Sequence, residues 1–297
     1  MRNNIVLAAL AATSAAVLAL CGCSGSNVEN SSTASSAPAY QVATGVTLDD
    51  SPTFKKATSR GSIVIGVKED QPGLGYLDVV TGERTGFDIE IARWTAATLG
   101  FSGDKITYKA IPSVAREQAL SNGDVDIYVG TYSITDKRKQ QVDFAGPYFQ
   151  TGQSLLVKAD NNKISSKENL VAGVTVCSVT GSTPIQNIRT NFPAVKTTEF
   201  DTYSQCVEAL KSGQVDAVTS DQALLLGFAS QDSENLKVVG EPFSKELYGL
   251  GLPKGDSALR ARINKMFTDG GATWKSIYDS TLGKSGTSVE QPAVDSY

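Results

Sequence analysis

The sequence predicts an α/β protein built from two similar lobes, and three observations support this fold class. Residues 119–126 and 209–216 nearly repeat one another, as Ala-Leu-Ser-Asn-Gly-Asp-Val-Asp and Ala-Leu-Lys-Ser-Gly-Gln-Val-Asp. In each copy the end of a helix, a glycine stop and a Val-Asp strand start predict a helix-to-strand unit. Strand and helix patterns alternate around both copies, as in a mostly parallel sheet. The roughly 230 residues beyond the N-terminal region suffice for two small lobes.

The first lobe begins with a β-branched run at residues 62–67, which is typical of a buried parallel strand. An amphipathic helix follows from Gly86 and ends at Gly100. The next predicted elements are a strand at 105–109, a helix at 114–120 and a strand at 125–130. That last strand leads to Thr131, and the matching position of the second copy is Asp221. We therefore expect two polar residues at equivalent strand ends, facing a ligand between the lobes.

The second lobe is predicted to be joined to the first by two connecting strands. Residues 154–158 predict the first connection, and residues 172–177 open a second series that continues through the repeat to about residue 239. Residues 248–252 predict the return strand, followed by a helix at 257–268. Because the chain crosses twice, the crossings form a hinge. The expected boundaries are 53–152 with 243–283 for the first lobe, 153–242 for the second, and 284–297 for a polar tail.

The N-terminal region predicts export and membrane anchoring. Residues 1–22 combine a short basic start with an apolar stretch too short to span a membrane, which is typical of a signal peptide. Leu20 and Gly22 resemble the processing box of bacterial lipoproteins, so Cys23 is the expected lipidation site. Cys21 is the alternative, although bulky Leu20 would then stand where a small residue is required. Residues 23–52 are rich in Ser, Thr, Asn and Ala and predict a flexible tether.

The composition limits the chemistry of the chain. It contains no histidine, which removes the commonest general base and any ordinary Ser-His-Asp arrangement. A formal net charge of −4, without a basic stripe, gives no indication of a nucleic-acid partner. Outside the cytoplasm Cys177 and Cys206 are expected to form a disulfide rather than a metal site, which would normally recruit histidine. We expect no metal ion, no cofactor and no enzymatic activity, although the composition by itself removes only the commonest catalytic arrangements and does not exclude an enzyme.

Several segments together resemble a known family. Residues 86–91 fit the pattern Gly-aromatic-Asp-aliphatic-acidic-aliphatic, although Thr95 departs from the aliphatic residue usual in the helix that follows. Residues 131–138, 142–144 and 181–183, with Trp274 and Tyr278, add to the agreement. On these segments, residues 55–283 resemble the bacterial family 3 extracellular solute-binding proteins, the amino-acid receptors of ATP-binding-cassette importers. Residues 66–75 and the two cysteines are most similar to the glutamate-binding lipoproteins of actinobacterial importers.

The resemblance implies a two-lobe fold like that of the type II periplasmic binding proteins, with two hinge strands and a ligand cleft between the lobes. An α-amino acid then needs an anion site beside a cation site. Arg138 suits the α-carboxylate through two parallel charge-assisted bonds, and Thr131 and Ser133 add further donors. Ser133, with Asp136 three residues later, is also expected to cap a helix. A surface position for Arg138 and a purely capping Ser133 are the alternatives.

The second lobe is expected to complete the amino-acid site. Gly181, Ser182 and Thr183 predict a tight loop before a helix, with Thr183 as the cap and Pro184 in the first turn. The amides and hydroxyls of this loop would close over the ligand carboxylate. The family also carries an aspartate at the position of Asp221, which is the expected partner of the ammonium. A helix-capping role is the alternative for that residue.

Lys68, Arg116 and Ser113 are the expected determinants of ligand side-chain specificity. Lys68 follows the first strand, where relatives that bind cationic amino acids carry an aspartate, so a cation there implies an anionic ligand. Arg116, with Ser113 beside it, matches a position at which receptors for acidic amino acids resemble one another in using arginine. The alternatives are a solvated Arg116 and a Lys68 paired with Glu69 or Asp70. Glutamate is the expected ligand, with aspartate, glutamine and asparagine as alternatives.

The resemblance also implies a mode of action. The lobes would close over a free amino acid, and the closed form would deliver it to permease subunits of the transporter. We expect a monomer, lipid-anchored at the extracellular face of the cell membrane. A catalytic relative such as a dehydratase would need a carboxylic acid in the cleft, for which Glu69 is the candidate. A ligand-sensing receptor module is a further alternative and would need a spanning segment.

Overall fold

The computed structural model describes residues 40–285 and 289–297. The predicted signal peptide, both candidate lipidation cysteines and tether residues 23–39 lie outside this range. Within it the α/β class is confirmed: two mixed five-stranded sheets are surrounded by helices. We call the elements around the two sheets the first and the second lobe. None of the described helices is long and apolar enough to cross a membrane.

The helices of the described residues are mostly short and packed against the sheets. They are α1 (Pro52–Arg60), α2 (Phe87–Thr98), α3 (Arg116–Ser121), α4 (Asp136–Lys139), α5 (Thr183–Asn191), α6 (Tyr203–Lys211), α7 (Gln222–Gln231), α8 (Ser257–Asp269) and α9 (Gly271–Ser280). Single 3₁₀ turns occupy Gly103–Lys105, Ser113–Ala115, Lys167–Asn169 and Leu282–Ser285. Helices α1 and α9 were not predicted, and residues 113–115 form a 3₁₀ turn where one continuous helix was expected.

The strands alternate with these helices along the chain. They are β1 (Ile63–Val67), β2 (Asp70–Gln71), β3 (Gly75–Leu77), β4 (Arg84–Thr85), β5 (Ile106–Ala110), β6 (Ile127–Tyr128), β7 (Val142–Thr151), β8 (Gln153–Lys158), β9 (Thr175–Val179), β10 (Lys196–Phe200), β11 (Ala217–Asp221), β12 (Leu236–Val239) and β13 (Glu246–Pro253). Strand β7 is ten residues long and was missed, because its run contains Gly and Pro, which weaken a strand pattern.

The two large sheets have the same plan. The first has the order β5-β1-β6-β13-β7, with β1 parallel to β5 and β6 and with β13 antiparallel to β6 and β7. The second has the order β10-β9-β11-β8-β12, with β9 parallel to β10 and β11 and with β8 antiparallel to β11 and β12. Strands β2, β3 and β4 form a small separate sheet.

The sequence repeat corresponds to one structural unit in each lobe. Gly123 and Gly213 end their helices with φ values of 70° and 78°, the left-handed conformation that glycine adopts without strain. The carboxylate of Asp126 accepts the amide of Val64 at 2.7 Å, and that of Asp216 accepts the amide of Thr175 at 2.8 Å. Each aspartate therefore ties its own strand to the start of the neighbouring one.

Two adjacent chain segments connect the lobes. The chain leaves β7 for β8 at Gly152 and returns from β12 to β13 through residues 240–245. The two segments are bonded to each other, since the amide of Gln153 donates to Ser244 Oγ at 3.0 Å and the amide of Phe243 donates to the Gln153 carbonyl at 2.8 Å. A paired, two-stranded crossing of this kind suits a hinge.

The disulfide between Cys177 and Cys206 is confirmed and joins β9 to α6. Its Cα atoms lie 5.5 Å apart and it closes a loop of 29 residues. Both cysteines are fully buried in the core of the second lobe. In the chain-entropy model a loop of that length contributes roughly 3 to 4 kcal/mol of stability.

The terminal segments contact the first lobe more closely than the sequence suggested. The Tyr40 hydroxyl donates to Glu90 at 2.8 Å and the amide of Ala43 donates to the Ala97 carbonyl at 2.9 Å, so folded structure begins inside the predicted tether. In the predicted polar tail, the amide of Phe144 donates to the Tyr297 hydroxyl at 2.8 Å. Local polarity did not reveal these contacts, because each joins residues far apart in the sequence.

Candidate functional site

The two lobes meet around a small cavity. Its accessible volume is about 10 Å³, which is room for about one water molecule, so a larger ligand can enter only if the lobes or side chains move apart. The cavity is lined by Ser113, Arg116, Thr131 and Arg138 of the first lobe and by Ser182, Thr183, Pro184, Tyr203, Ser220 and Asp221 of the second. The other predicted site residues, Lys68, Ser133 and Gly181, each bond to a lining residue.

Arg138 lies in the short helix α4 and is 8% exposed. Its guanidinium donates to the Ser133 carbonyl at 2.7 Å and crosses to the second lobe to donate to the Gly181 carbonyl at 3.0 Å. Its Nε lies 3.3 Å from Glu117. Burial and the charge of Arg116 lower the pKa of Arg138 to about 10, which leaves it protonated at neutral pH. The side chain is therefore a buried cation that spans both lobes.

Helix α4 begins two residues later than predicted. Its cap is Thr135, whose Oγ1 accepts the amide of Arg138 at 3.2 Å. Ser133 is instead extended and forms an antiparallel bridge with Tyr248 of β13. The predicted capping box at Ser133 is therefore wrong, because bonding to β13 holds this segment extended. The Ser133 hydroxyl is left to contact Thr183 Oγ1 at 3.3 Å across the cleft.

Thr131 adopts a positive φ of 45°, which is uncommon for a β-branched residue. Its amide donates to Asp88 at 2.9 Å, and its hydroxyl donates to Gln71 Oε1 at 3.2 Å. Asp88 also accepts the Tyr148 hydroxyl at 2.8 Å. Burial raises the pKa of Asp88 to about 6. The aspartate of the Gly-Phe-Asp motif thus holds Thr131 in its unusual conformation at the wall of the cavity.

Lys68 and Arg116 are buried, with exposed fractions of 6% and 2%. Lys68 Nζ donates to Ser113 Oγ at 2.9 Å and to the Ile111 carbonyl at 3.1 Å. Arg116 donates to the carbonyls of Ser113 at 2.9 Å and Gly181 at 3.3 Å. All of these acceptors are neutral. Neither the solvated position considered for Arg116 nor the salt bridges considered for Lys68 occur in the structure.

The electrostatics of this cluster favour an incoming anion. Burial and the charge of Arg116 lower the pKa of Lys68 to about 7. The guanidinium carbons of Arg116 and Arg138 lie 4.3 and 5.0 Å from the centre of the Tyr132 ring. Among the described residues, no carboxylate lies within ion-pair distance of Lys68 or Arg116. A carboxylate placed here would offset the repulsion between these cations.

The loop before α5 supplies hydroxyls from the second lobe. Ser182, not Thr183, caps this helix, with its Oγ accepting the amide of Ile185 at 3.2 Å. The prediction of Thr183 as cap is wrong by one position, because Thr183 already has helical backbone geometry. Its hydroxyl instead donates to Glu246 at 3.1 Å and contacts Ser133. Both Thr183 and Ser182 are among the residues that line the cavity.

Asp221 is the one acidic residue among those lining the cavity and is 4% exposed. Its Oδ2 accepts the Tyr248 hydroxyl at 2.6 Å, whereas its Oδ1 is buried without a hydrogen-bond partner among the described residues. Burial and the charge of Glu246 raise the pKa of Asp221 to about 7. Although Asp221 is the residue before α7, its side chain makes no capping bond to that helix. A cation donor would satisfy the orphaned oxygen.

Sequence reasoning missed several residues of this site. They are Asp88 behind Thr131, Glu117 beside Arg138, Tyr203 and Ser220 in the lining, and Glu246 and Tyr248 on β13. The Gly-Phe-Asp motif pointed to Asp88 without indicating its contact. No local signal marked the others, because their partners lie in distant segments of the chain.

A second cavity, of about 730 Å³, lies beside the hinge and has a largely apolar lining that includes Phe149, Leu226 and Pro242. Its charged lining residues are Lys245 and Lys284, without an acid to bind a cation. We therefore assign the candidate site to the smaller, charged cavity. Within the described residues no cluster of three or more His, Cys, Asp or Glu side chains is placed to hold a metal ion.

Comparisons with known proteins identify relatives of this chain. The chain is 39% identical to the glutamate-binding protein GluB of Corynebacterium glutamicum over 251 residues, covering 80% of this chain and 84% of that protein. It is 43% identical to the glutamine-binding protein of Geobacillus stearothermophilus over 250 residues, covering 84% and 92%. The solved structure of an ancestral arginine-binding protein bound to glutamine superposes with a TM-score of 0.69 at 38% identity, covering 75% of this chain and 99% of that one.

These similarities confirm the two-lobe fold and the resemblance inferred from the sequence motifs. A family model matches residues 63–284, which include both lobes, the hinge and all the residues that line the charged cavity. The chain therefore belongs to the bacterial extracellular solute-binding proteins, family 3.

Proposed function

We propose that this protein captures L-glutamate between its lobes and delivers it to the permease of an ATP-binding-cassette importer. One observation carries the proposal: among the described residues, buried Lys68 and Arg116 donate only to neutral acceptors, while Asp221, which lines the same cavity as Arg116, has a buried oxygen without a partner. A ligand with two carboxylates and one ammonium matches this arrangement, since each buried charge needs a partner of opposite sign. One of the two similar relatives is named a glutamate-binding protein and the other a glutamine-binding protein, which supports a ligand of this class.

The α-carboxylate of the ligand is assigned to Arg138 and the hydroxyls around it. The two guanidinium nitrogens of Arg138 that now donate to main-chain carbonyls suit the two oxygens of a carboxylate. Thr131 of the first lobe and Thr183 of the second line the same cavity as Arg138, and the Ser133 hydroxyl contacts that of Thr183. Ser182 and the Gly181 loop complete this side of the cleft. The ammonium is assigned to Asp221 Oδ1.

The ligand side chain is assigned to Lys68, Arg116 and Ser113. These residues form a continuous hydrogen-bonded group, because Ser113 accepts from Lys68 through its hydroxyl and from Arg116 through its carbonyl. A side-chain carboxylate would pair with both cations, whereas a neutral amide would leave two buried positive charges unpaired. Charge therefore favours glutamate or aspartate over glutamine or asparagine.

Transport follows from lobe closure without a covalent step. A ligand bound to one lobe stabilises the closed form through contacts with the other lobe. The free energy of this stabilisation equals the difference between the ligand's binding free energies for the closed and the open form. The closed form then presents a surface to the permease. Lipidation at Cys23, or alternatively Cys21, would hold the monomer at the extracellular face of the membrane. Glu69, the candidate for a catalytic acid, forms an ion pair with Arg84, and neither residue lines the cavity.

Calorimetric titration of residues 24–297 with each common amino acid tests the proposal. Glutamate is expected to bind most tightly, and Arg138→Met is expected to abolish binding of every amino acid. The matched control is Lys105→Met, which removes an exposed cation remote from the cleft. Tightest binding of a neutral or cationic amino acid would refute the side-chain assignment, and unchanged affinity in Arg138→Met would refute the carboxylate assignment. Turnover of a cyclic acid without amino-acid binding would instead identify a catalytic relative.

A further inference from the structure

Three consecutive residues of the first lobe, Asp70, Gln71 and Pro72, each contact either the second lobe or a residue that lines the ligand cavity. They lie in and just after β2, the strand that follows Lys68. None of the three lines the charged cavity. We propose that residues 70–72 form a ligand-independent latch, in which Asp70 is a positioning residue that sets the affinity for every ligand by stabilising the closed form.

Asp70 binds the N-terminus of a helix in the other lobe. Its Oδ2 accepts the amide of Tyr203 at 2.8 Å and that of Ser204 at 3.2 Å, and the Ser204 hydroxyl lies at 3.5 Å. These amides begin α6, where free N–H groups and the helix dipole favour a negative charge. A carboxylate from the first lobe thus completes the end of a helix in the second. This contact can form only when the lobes are closed.

Pro72 packs against Gly227 in the middle of α7. A Cβ atom built at Gly227 would lie 2.1 Å from the Pro72 carbonyl oxygen, and its three nearest neighbours all belong to Pro72. Glycine is unfavourable inside a helix by roughly 1 kcal/mol relative to alanine, so a steric reason for its presence is needed. The close approach of the first lobe supplies that reason. Any larger residue at this position would hold the lobes apart.

The latch is connected to the ligand cavity through one residue of each lobe. Gln71 accepts the hydroxyl of Thr131, and Tyr203, which donates its amide to Asp70, is itself one of the residues that line the cavity. The disulfide at Cys206 anchors the first turn of α6, which holds the two amides in place for Asp70. Closure at the latch and ordering of the cavity wall therefore occur together.

The latch is expected to change affinity without changing specificity. When only a fraction of the molecules can adopt the closed form, the measured affinity for every ligand falls in proportion to that fraction. Asp70→Asn leaves one acceptor and removes the charge, and should weaken glutamate and glutamine binding by the same factor, about tenfold. Gly227→Ala should weaken both by more than tenfold while leaving α7 intact. Both variants should show a larger radius of gyration than the parent in solution scattering of the ligand-free protein.

Asp78→Asn is the matched control. Asp78 also accepts two backbone amides, those of Val80 and Thr81, but both belong to its own turn in the first lobe. This variant should keep the parental affinities and radius of gyration. The affinity readout rests on the proposed function, whereas the scattering readout does not.

Two results would overturn the latch. The first is that Asp70→Asn and Gly227→Ala both bind glutamate and glutamine within twofold of the parental affinity and keep the parental radius of gyration. The other is a change in the ratio of glutamate to glutamine affinity, which would make residues 70–72 part of the side-chain site. If neither amino acid binds, the proposed function fails, and the scattering comparison alone decides on the latch.

Discussion

The Tyr248 hydroxyl donates to Asp221 Oδ2 at 2.6 Å, and this bond joins β13, the strand that directly follows the hinge, to the end of β11 in the other sheet. It holds one oxygen of a residue that lines the cavity, and leaves Oδ1 buried without a hydrogen-bond partner among the described residues. The hinge and the cation site are thus directly coupled. A residue on the return strand orients the acid that is proposed to hold the ligand ammonium.

Removing the charge of Asp221 should weaken glutamate binding more than removing the hydroxyl of Tyr248. Asp221→Asn removes the charge opposite the ammonium and is expected to reduce glutamate affinity by about 100-fold or more. Tyr248→Phe keeps the charge, removes one donor, and is expected to reduce affinity by about tenfold. Calorimetric titration of both variants checks the order. A larger loss in Tyr248→Phe than in Asp221→Asn would show that the carboxylate is not the cation partner.

Lys68→Met should change specificity rather than abolish binding. The substitution removes a buried cation of similar length, so glutamate loses a charged partner while glutamine loses none. Glutamate affinity is expected to fall by about 100-fold and glutamine affinity to change by less than about fivefold. Competition of both amino acids against one fluorescent or radiolabelled ligand measures the ratio. Equal losses for the two ligands would place Lys68 outside the side-chain site.

The pH dependence of glutamate binding should be bell-shaped. In the closed cleft burial raises the pKa of Asp221 to about 7, so this acid takes up a proton and loses its attraction for an ammonium as the pH falls below that value. Burial lowers the pKa of Lys68 to about 7, so this amine loses its charge as the pH rises above it. Glutamate affinity is therefore expected to be greatest near pH 7 and to fall towards both about pH 5 and about pH 9.

Glutamine provides the control for this profile. It has no side-chain carboxylate to pair with Lys68, so only the acid-side loss should remain. In Lys68→Met the alkaline-side loss of glutamate affinity should also disappear. Titrations across this pH range in buffers of different ionisation enthalpy measure both affinity and proton exchange. A glutamate affinity that does not vary with pH would contradict the assigned charges.

Removal of the disulfide by substitution should lower both the stability of the protein and its affinity for glutamate. Cys177→Ala with Cys206→Ala is expected to lower the free energy of unfolding by roughly 3 kcal/mol. The disulfide also anchors α6, whose first amides donate to Asp70. Glutamate affinity should therefore fall as well, by a few-fold. Chemical denaturation and calorimetry test the two effects. Destabilisation with unchanged affinity would confine the disulfide to a role in the core of the second lobe.

The C-terminal tyrosine should stabilise the first lobe through its hydroxyl. Tyr297 stands between Lys139 and Arg260, with its ring 3.9 and 4.5 Å from their charged atoms, and its hydroxyl accepts the amide of Phe144. Tyr297→Phe keeps the ring and removes only that acceptor. The free energy of unfolding is expected to fall by about 1 kcal/mol, with glutamate affinity unchanged. Thermal and denaturant unfolding of the variant measures the loss.

Much of the fold was predictable, because it depends on local patterns. The β-branched run of β1, the helix after Gly86 and the two copies of the repeat all appear at their predicted places. Helix caps were less predictable. The predicted caps Ser133 and Thr183 are displaced to Thr135 and Ser182, since the register of each cap depends on strands and loops that are distant in sequence.

The site was predictable as a set of charged residues but not as a network. The motifs pointed to Arg138 and Asp221, which the structure brings to the same cavity. They did not reveal that Glu117 would lie beside Arg138, or that Tyr248 would orient Asp221. Such partners are chosen by how the lobes pack against each other. A single sequence carries no local trace of that packing.

The whole of the second sheet, from β8 to β12, comes from one uninterrupted stretch of chain, residues 153–239, whereas the first sheet needs two stretches. The binding site is therefore divided between a continuous and a split half. A single genetic exchange with junctions at the hinge would carry Asp221 and Thr183 into a related gene and leave Lys68 and Arg116 behind. The partner proposed for the ligand ammonium in this half and those proposed for the ligand side chain in the other can thus diversify independently during evolution.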